Sequence, residues 1–284
     1  MQTGQPSRTA LAAARHRAAH QLLEHRCVFS DPLAVKILGE SAEAFAAEAR
    51  AHVERRAMRL FIAARSRFAE DALASAVSRG VDQFVVLGAG LDTFAYRNPH
   101  PDLRVFEVDH PATQAWKRER LAAAGIATPR SARFAAVDFE RVGLAEGLAK
   151  AGFDAGAPTV FSWLGVVVYL TEQAVFDTLQ LIAGMPAGSE VVLSYSDPPA
   201  SMPAAQAAAY GRRAARVQAL GERWRTQFEP ARLHARLKAL GFNEIQDLGP
   251  TEIDVLYFEA QPGMAERKGG RLLRARVGRT ASGR

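Results

Sequence analysis

Residues 83–93 read QFVVLGAGLDT. Five residues rich in β-branched and apolar side chains run straight into a glycine turn. A short, uniformly apolar run of this kind fits a strand buried on both faces. Gly88 and Gly90 let the backbone bend sharply where it leaves the strand and let a ligand come close to it. Outward from there the same alternation repeats. Strands are expected at 83–88, 104–109, 133–139, 159–165, 189–195, 243–248 and 255–260. Helices are expected over 111–124, 140–151, 172–184, 203–222 and from Pro230 onward. Strands alternating with helices of 10–15 residues mean parallel strands covered on both faces, joined by right-handed crossovers. The last two strands have only a short connection between them, so they are expected to pair antiparallel. The fold class is therefore α/β, a doubly wound, mostly parallel, Rossmann-like sheet of seven strands.

Upstream, residues 1–80 read as helical. Ser7 or Thr9 caps a helix running toward Arg26, and Ser30-Asp31-Pro32 interrupts the next segment. The expected organisation is one domain over 1–262, with a helical cap at 1–80 and the sheet at 81–262, followed by a basic tail at 263–284. The formal net charge of +6 is a property of that tail. Residues 266–284 hold seven basic groups and one acid, and the rest of the chain balances. A Gly/Arg-rich end with few apolar residues is expected to be unstructured. Its deletion is then expected to leave chemistry on small molecules intact. The neutral body speaks against nucleic acid as a partner, since a polyanion needs a continuous basic surface. No apolar stretch is long enough for a membrane span or a signal peptide, which points to a cytoplasmic protein without a membrane partner. The single Cys27 excludes an internal disulfide and a Cys-rich metal site, and reads as a small buried hydrophobe in an N-terminal helix.

In open α/β sheets ligands bind beyond the carboxyl ends of the strands, so those ends carry the candidate site. The first is the turn with Gly88 and Gly90. The dinucleotide fingerprint would place a third glycine where this chain has Thr93, and the shortened turn suits an adenosyl amino acid without a pyrophosphate. The second end is EVDHP (107–111). Asp109, about 20 residues past the glycine turn, stands where ribose hydroxyls arrive, and a carboxylate accepts two hydrogen bonds from a vicinal diol. Glu107 shares its parity. The alternative is that one of these acids caps the helix opening at Pro111. The third end is VDF (137–139). Asp138 suits an exocyclic adenine amine and Phe139 the ring face, or else they are a helix cap and a core residue. At the fourth, SWLGVVVYL (162–170), Trp163 and Tyr169 are either pocket walls or core.

The stretches RTALAAARHRAAH, FSDPLAVKILG, ARSRFAEDAL, VVLGAGLDTFAYR, VFEVDHPATQAWKR, VDF, SWLGVVVYL and LSYSDPP, in order from residue 8 to 199, resemble the leucine carboxyl methyltransferase superfamily, specifically its bacterial S-adenosyl-L-methionine-dependent branch. The resemblance implies a class I methyltransferase fold and S-adenosyl-L-methionine as cofactor. It implies that Arg65 binds the methionine carboxylate, that Gly88 underlies the methionine portion, that Asp109 binds the ribose, and that Asp138 and Phe139 hold the adenine. Many relatives carry arginine where this chain has Phe94, and the eukaryotic members carry glutamate where it has Leu164, so a phosphatase C-terminus is not carried over as acceptor. The expected reaction is O-methylation of a carboxylate or hydroxyl on a small molecule. His110, Tyr195 and Asp197 are candidate bases, with none assigned. The competing readings are a nicotinamide-dependent oxidoreductase and a nucleic-acid-binding protein acting through the tail.

Overall fold

The computed structural model describes residues 7–137, 143–259 and 267–278. Along the chain the elements are α1 (Arg8–Leu23), α2 (Pro32–Leu38), α3 (Ala42–Ala51), α4 (Arg56–Val77), β1 (Gln83–Leu87), β2 (Arg104–Asp109), α5 (Pro111–Ala123), β3 (Ala132–Ala136), α6 (Leu144–Lys150), β4 (Thr159–Trp163), α7 (Glu172–Ala183), β5 (Glu190–Ser196), α8 (Ala204–Ala219), α9 (Pro230–Leu240), β6 (Phe242–Leu248), α10 (Pro250–Phe258) and β7 (Gly270–Val277). The sheet has seven strands in the order β3-β2-β1-β4-β5-β7-β6. β1 to β5 are parallel, and β7 runs antiparallel to both of its neighbours. The strand order reverses between β1 and β4, and a ligand site is expected at that switch point.

Strand parity assigns the two faces. Val85 and Leu87 share a core with Phe106, Phe161, Trp163 and Leu193 beneath α6, α7 and α9. The alternate residues Phe84, Val86, Val105 and Val160 pack with Leu73 and Ala76 of α4. Further along α4, Ala64, Phe68 and Ala72 meet Val192 and Leu272. Thus α4, the last helix of the predicted cap, is itself one layer of the sheet packing. Each fully buried Leu, Phe or Val side chain adds about 1.5–3 kcal/mol of transfer free energy. The rest of the cap has its own core, in which Ala14, Ala18, Ile37, Leu38 and Phe45 pack with Leu91 of the glycine turn and Leu121 of α5. Ser7 is the N-cap of α1, accepting from Ala10 N at 3.1 Å. Asp31 caps α2.

Three expectations need correction. Residues 255–259, the described part of the expected 255–260 strand, do not form the seventh strand. Gly249 and Pro250 open a helix there, with Pro at its first position, where a missing N–H costs nothing. The seventh strand is Gly270–Val277, inside the stretch set aside as a tail, and it lies between β5 and β6. Its arginines are structural. Arg274 donates to Glu190 at 2.6 and 3.0 Å, and Arg276 to Glu190 and Glu244 at 2.9 Å each. Arg271 donates to Asp247 at 3.0 Å. The domain therefore extends through residue 278 at least, and the tail deletion cannot be silent. Finally, Cys27 is exposed beyond the end of α1 rather than buried in a helix, and its thiol donates to the Phe29 carbonyl at 3.1 Å. Among the described residues no helix is long and apolar enough to cross a membrane.

Candidate active site

The turn after β1 is tied to the end of β2, because Gly88 and Ala89 donate their N–H groups to the Val108 carbonyl at 2.8 and 3.0 Å. Both glycines sit in the left-handed region, at φ 69° and 47°. Both are also crowded. A Cβ on Gly88 would lie 2.4 Å from Val166 Cγ2, and one on Gly90 would lie 2.8 Å from the Ala10 Cβ of α1. Conformation and close approach thus both require glycine here.

Asp109 closes β2 with its carboxylate on this turn. It accepts from Gly90 N at 2.5 Å and from His110 N at 2.7 Å. Burial raises its pKa, against the pull of those two donors. Asp109 is not the cap of α5: His110 is the N-cap, with its ring Nδ1 accepting from Ala112 N at 3.2 Å. Glu107, two residues earlier, serves otherwise. It is buried in a 2.7 Å ion pair with Lys117 and receives the Tyr96 hydroxyl at 3.3 Å. Burial raises its pKa as well.

Arg65 projects from α4 toward the loop after β4. Its guanidinium packs so closely on Gly165 that a Cβ there would meet it at 2.5 Å. Burial first, and the neighbouring Arg17 charge second, push Arg65 down to about 10. Among the described residues it forms no salt bridge. A partly desolvated cation that no acid pairs directly is costly, and here it stands one residue from Val166, which covers Gly88. Asp138 and Phe139 lie outside the described residues. Val137, the last described residue before them, donates to the Asp109 carbonyl at 2.9 Å.

At the fourth strand end, Trp163 is a core residue. Tyr169 follows in a single 3-10 turn and faces Thr9, Trp224, Glu222 and Arg65, with burial raising its pKa. Of the candidate bases, Tyr195 is buried and donates to Asp247, which also receives His234 at 2.7 Å. Asp197 is buried, accepts from Gly269 N at 2.9 Å and faces Arg271 at 3.8 Å. Both belong to the network that anchors β7. His110 stays on the Asp109 side.

Two groups beside the turn had no motif to announce them. Arg17 of α1 donates to the Leu91 carbonyl at 2.6 Å and pairs with Asp31 at 2.8 Å, and Asp31 receives the Thr93 hydroxyl at 2.5 Å. Thr93, at the third position of the dinucleotide pattern, is therefore consumed by the cap. The other group is Glu222. The buried acids Asp31, Glu107, Glu190 and Asp197 each face a cation within 4.0 Å. Asp109 and Glu222 are buried acids in no salt bridge among the described residues.

The donor set fits an S-adenosyl ligand. A half-buried guanidinium in no salt bridge suits an α-carboxylate, a buried carboxylate in none suits a diol, and the glycine turn lies between them.

Comparison with known proteins follows the same lines. The family model for leucine carboxyl methyltransferase matches residues 10–183. A Bacillus subtilis protein named "Putative S-adenosyl-L-methionine-dependent methyltransferase YktD" is 32% identical over 198 residues, which cover 69% of this chain and 65% of that one. A Mycolicibacterium smegmatis protein of like name is 37% identical over 166 residues, covering 58% of this chain and 52% of that one. The chain thus matches between about half and two-thirds of these relatives' length. Among solved structures, a protein from Thermobifida fusca described as a "putative methyltransferase" superposes with TM-score 0.58 at 16% identity, covering 98% of this chain and 97% of that one. A DUF574 family protein from Streptomyces avermitilis gives 0.52 at 17%, covering 92% and 96%. The fold is that of class I methyltransferases, as expected from the sequence.

Proposed function

Because the chain belongs to the leucine carboxyl methyltransferase family, we propose that it transfers the methyl group of S-adenosyl-L-methionine to an oxygen nucleophile, a carboxylate or a hydroxyl, on a small molecule. The observation that supports this reading is the complementary pair around one glycine turn: Arg65, a half-buried cation in no salt bridge, and Asp109, a buried acid in none, among the described residues. In the proposal Arg65 holds the methionine carboxylate and Asp109 accepts from the ribose hydroxyls. Gly88 and Gly90 allow the approach, and Asp138 with Phe139 hold the adenine.

The bound sulfonium supplies an already activated methyl group. What remains for the chain is alignment of the nucleophile with the methyl carbon and exclusion of water. A carboxylate acceptor needs no base, whereas a hydroxyl must lose its proton. Tyr195 and Asp197 are poorly disposed for that task, being committed to Asp247 and to Gly269 and Arg271.

The oxidoreductase reading has less support. A dinucleotide pyrophosphate rests on the N-terminus of a helix that follows the first strand. Here only the 3-10 turn Phe94–Tyr96 separates β1 from β2, and Thr93 is bonded to Asp31. The nucleic-acid reading loses its footing with the arginines of β7 paired to acids.

Calorimetric titration with S-adenosyl-L-homocysteine, S-adenosyl-L-methionine and NADPH tests the proposal. Micromolar binding of the adenosyl ligands without NADPH binding is expected. Asp109→Asn is expected to weaken that binding by about 1–3 kcal/mol, the scale of hydrogen bonds to a charged group. NADPH binding alone would sink the proposal.

A further inference from the structure

Glu222 lies in the segment after α8, is 9% exposed, and spends its carboxylate on the start of α1. Its Oε1 accepts from Ser7 Oγ at 3.1 Å, and its Oε2 accepts from Thr9 Oγ1 at 2.6 Å. The Thr9 N–H approaches Oε1 at 3.5 Å. An acid at the N-terminus of a helix also meets the positive end of the helix dipole. The segment carrying Glu222 is fixed in turn to the loop after β4. Arg225 and Thr226 donate their N–H groups to the Val168 carbonyl at 2.6 and 3.3 Å, and the Thr226 hydroxyl donates to Leu170 O at 2.5 Å.

Ala10, one residue past Thr9, sits on Gly90, and Val166 of the post-β4 loop sits on Gly88. The Glu222 contacts therefore join the two segments that cover the two glycines. A Val166 methyl thus lies over Gly88 and the Ala10 methyl over Gly90.

We infer that Glu222 is a positioning residue, a latch that holds the start of α1 down on the glycine turn, and that the latch must open before an S-adenosyl ligand can seat. The identity of that ligand rests on the proposed function; the latch itself does not. A chain that binds only in a minor open state has its affinity reduced by the fraction that is open. Weakening the latch therefore strengthens binding, whereas damage to a purely structural contact weakens it or leaves it unchanged.

The test is stopped-flow association of S-adenosyl-L-homocysteine, read by tryptophan fluorescence, in the full chain and in Glu222→Gln and Thr9→Val. The second variant removes one hydroxyl donor and leaves the carboxylate in place. For Glu222→Gln the association rate is expected to rise about tenfold and Kd to fall about tenfold, with the dissociation rate changed less than about twofold. Thr9→Val is expected to shift in the same direction by less. Hydrogen exchange of the α1 amides without ligand gives the second readout, and protection over the first turns of α1 is expected to drop in both variants. Unchanged association in both variants, or weaker binding by Glu222→Gln at an unchanged melting temperature, overturns the latch. Should the unmodified chain fail to bind the ligand, the methyl-transfer reading falls and exchange alone decides the latch: unchanged α1 protection overturns it.

Discussion

At the scale of single residues, the cationic side of the site has a consequence for acid stability. His16 of α1 is mostly buried and faces Arg65, Arg59 and Arg55, while Arg15 and His52 line the same cavity. Burial first, then those three arginines, lower His16 to about 4 from an ordinary 6.5. A histidine that resists protonation when folded takes up its proton first in the unfolded chain. Stability linked to His16 is thus fully present above about pH 6.5 and is lost progressively as pH falls to about 4. A shift of that size corresponds to roughly 3 kcal/mol. Urea unfolding at pH 7, 5.5 and 4 is expected to show this decline, with a flatter profile in His16→Asn. An equal slope in both proteins would remove His16 as the cause. Legibility also varied residue by residue. Gly88, Gly90 and Asp109 are candidates because a glycine turn and a strand end mark them, and Arg65 is one through the family resemblance. Arg17, Asp31 and Glu222 are not, because their partners lie 14 to 215 positions away in sequence and no local pattern encodes such meetings.

Elements were legible where period and punctuation agreed. β1 runs into Gly88, Asp31-Pro32 opens α2 and Pro230 opens α9, each as the sequence indicates. The C-terminal part misled because two signals competed. VLYFEA is rich in strand formers, yet Gly249-Pro250 starts a helix, and Val255 and Leu256 remain exposed on it. RLLRARV has the period-2 alternation of a strand, but its arginines read as a solvated tail. They are the counter-charges of Glu190, a wholly buried acid at the start of β5 that also meets Arg79 just past α4. A chain ending at residue 266 is therefore expected to expose the edge of β5 and leave Glu190 with Arg79 alone, two of its three cations gone, giving insoluble protein or a lost near-ultraviolet signal. Glu190→Gln is the milder probe. It is expected to cost about 3 kcal/mol, at the low end for breaking a buried ion pair because the arginines keep part of their hydration. A truncated chain with native circular dichroism and a sharp thermal transition would refute this role for β7.

Over the whole molecule, the helical cap and the sheet are bonded too closely to act as separate units. Phe61 of α4 packs against Gly270 at the start of β7. Arg120 of α5 donates to the carbonyls of Ile37 and Leu38 in α2 at 2.9 and 2.7 Å. Arg17 ties α1 to the glycine turn itself. The segment that covers the site is thus part of the same packing that stabilises the sheet, while the start of α1 is held through Ser7 and Thr9 by polar contacts to Glu222 in the segment after α8. Local opening free energies track the number of such contacts, so the start of α1 should open alone while the remaining helices unfold with the sheet. The chain is longer than most strictly two-state domains, so coincidence of transitions is informative. Urea transitions followed by far-ultraviolet circular dichroism and by tryptophan fluorescence are expected to coincide. S-adenosyl-L-homocysteine at a hundredfold excess over Kd should move both upward by about 2.7 kcal/mol. A cap that melted first would split the two probes, and a ligand that shifted only one of them would show that its site is built on one layer rather than across both.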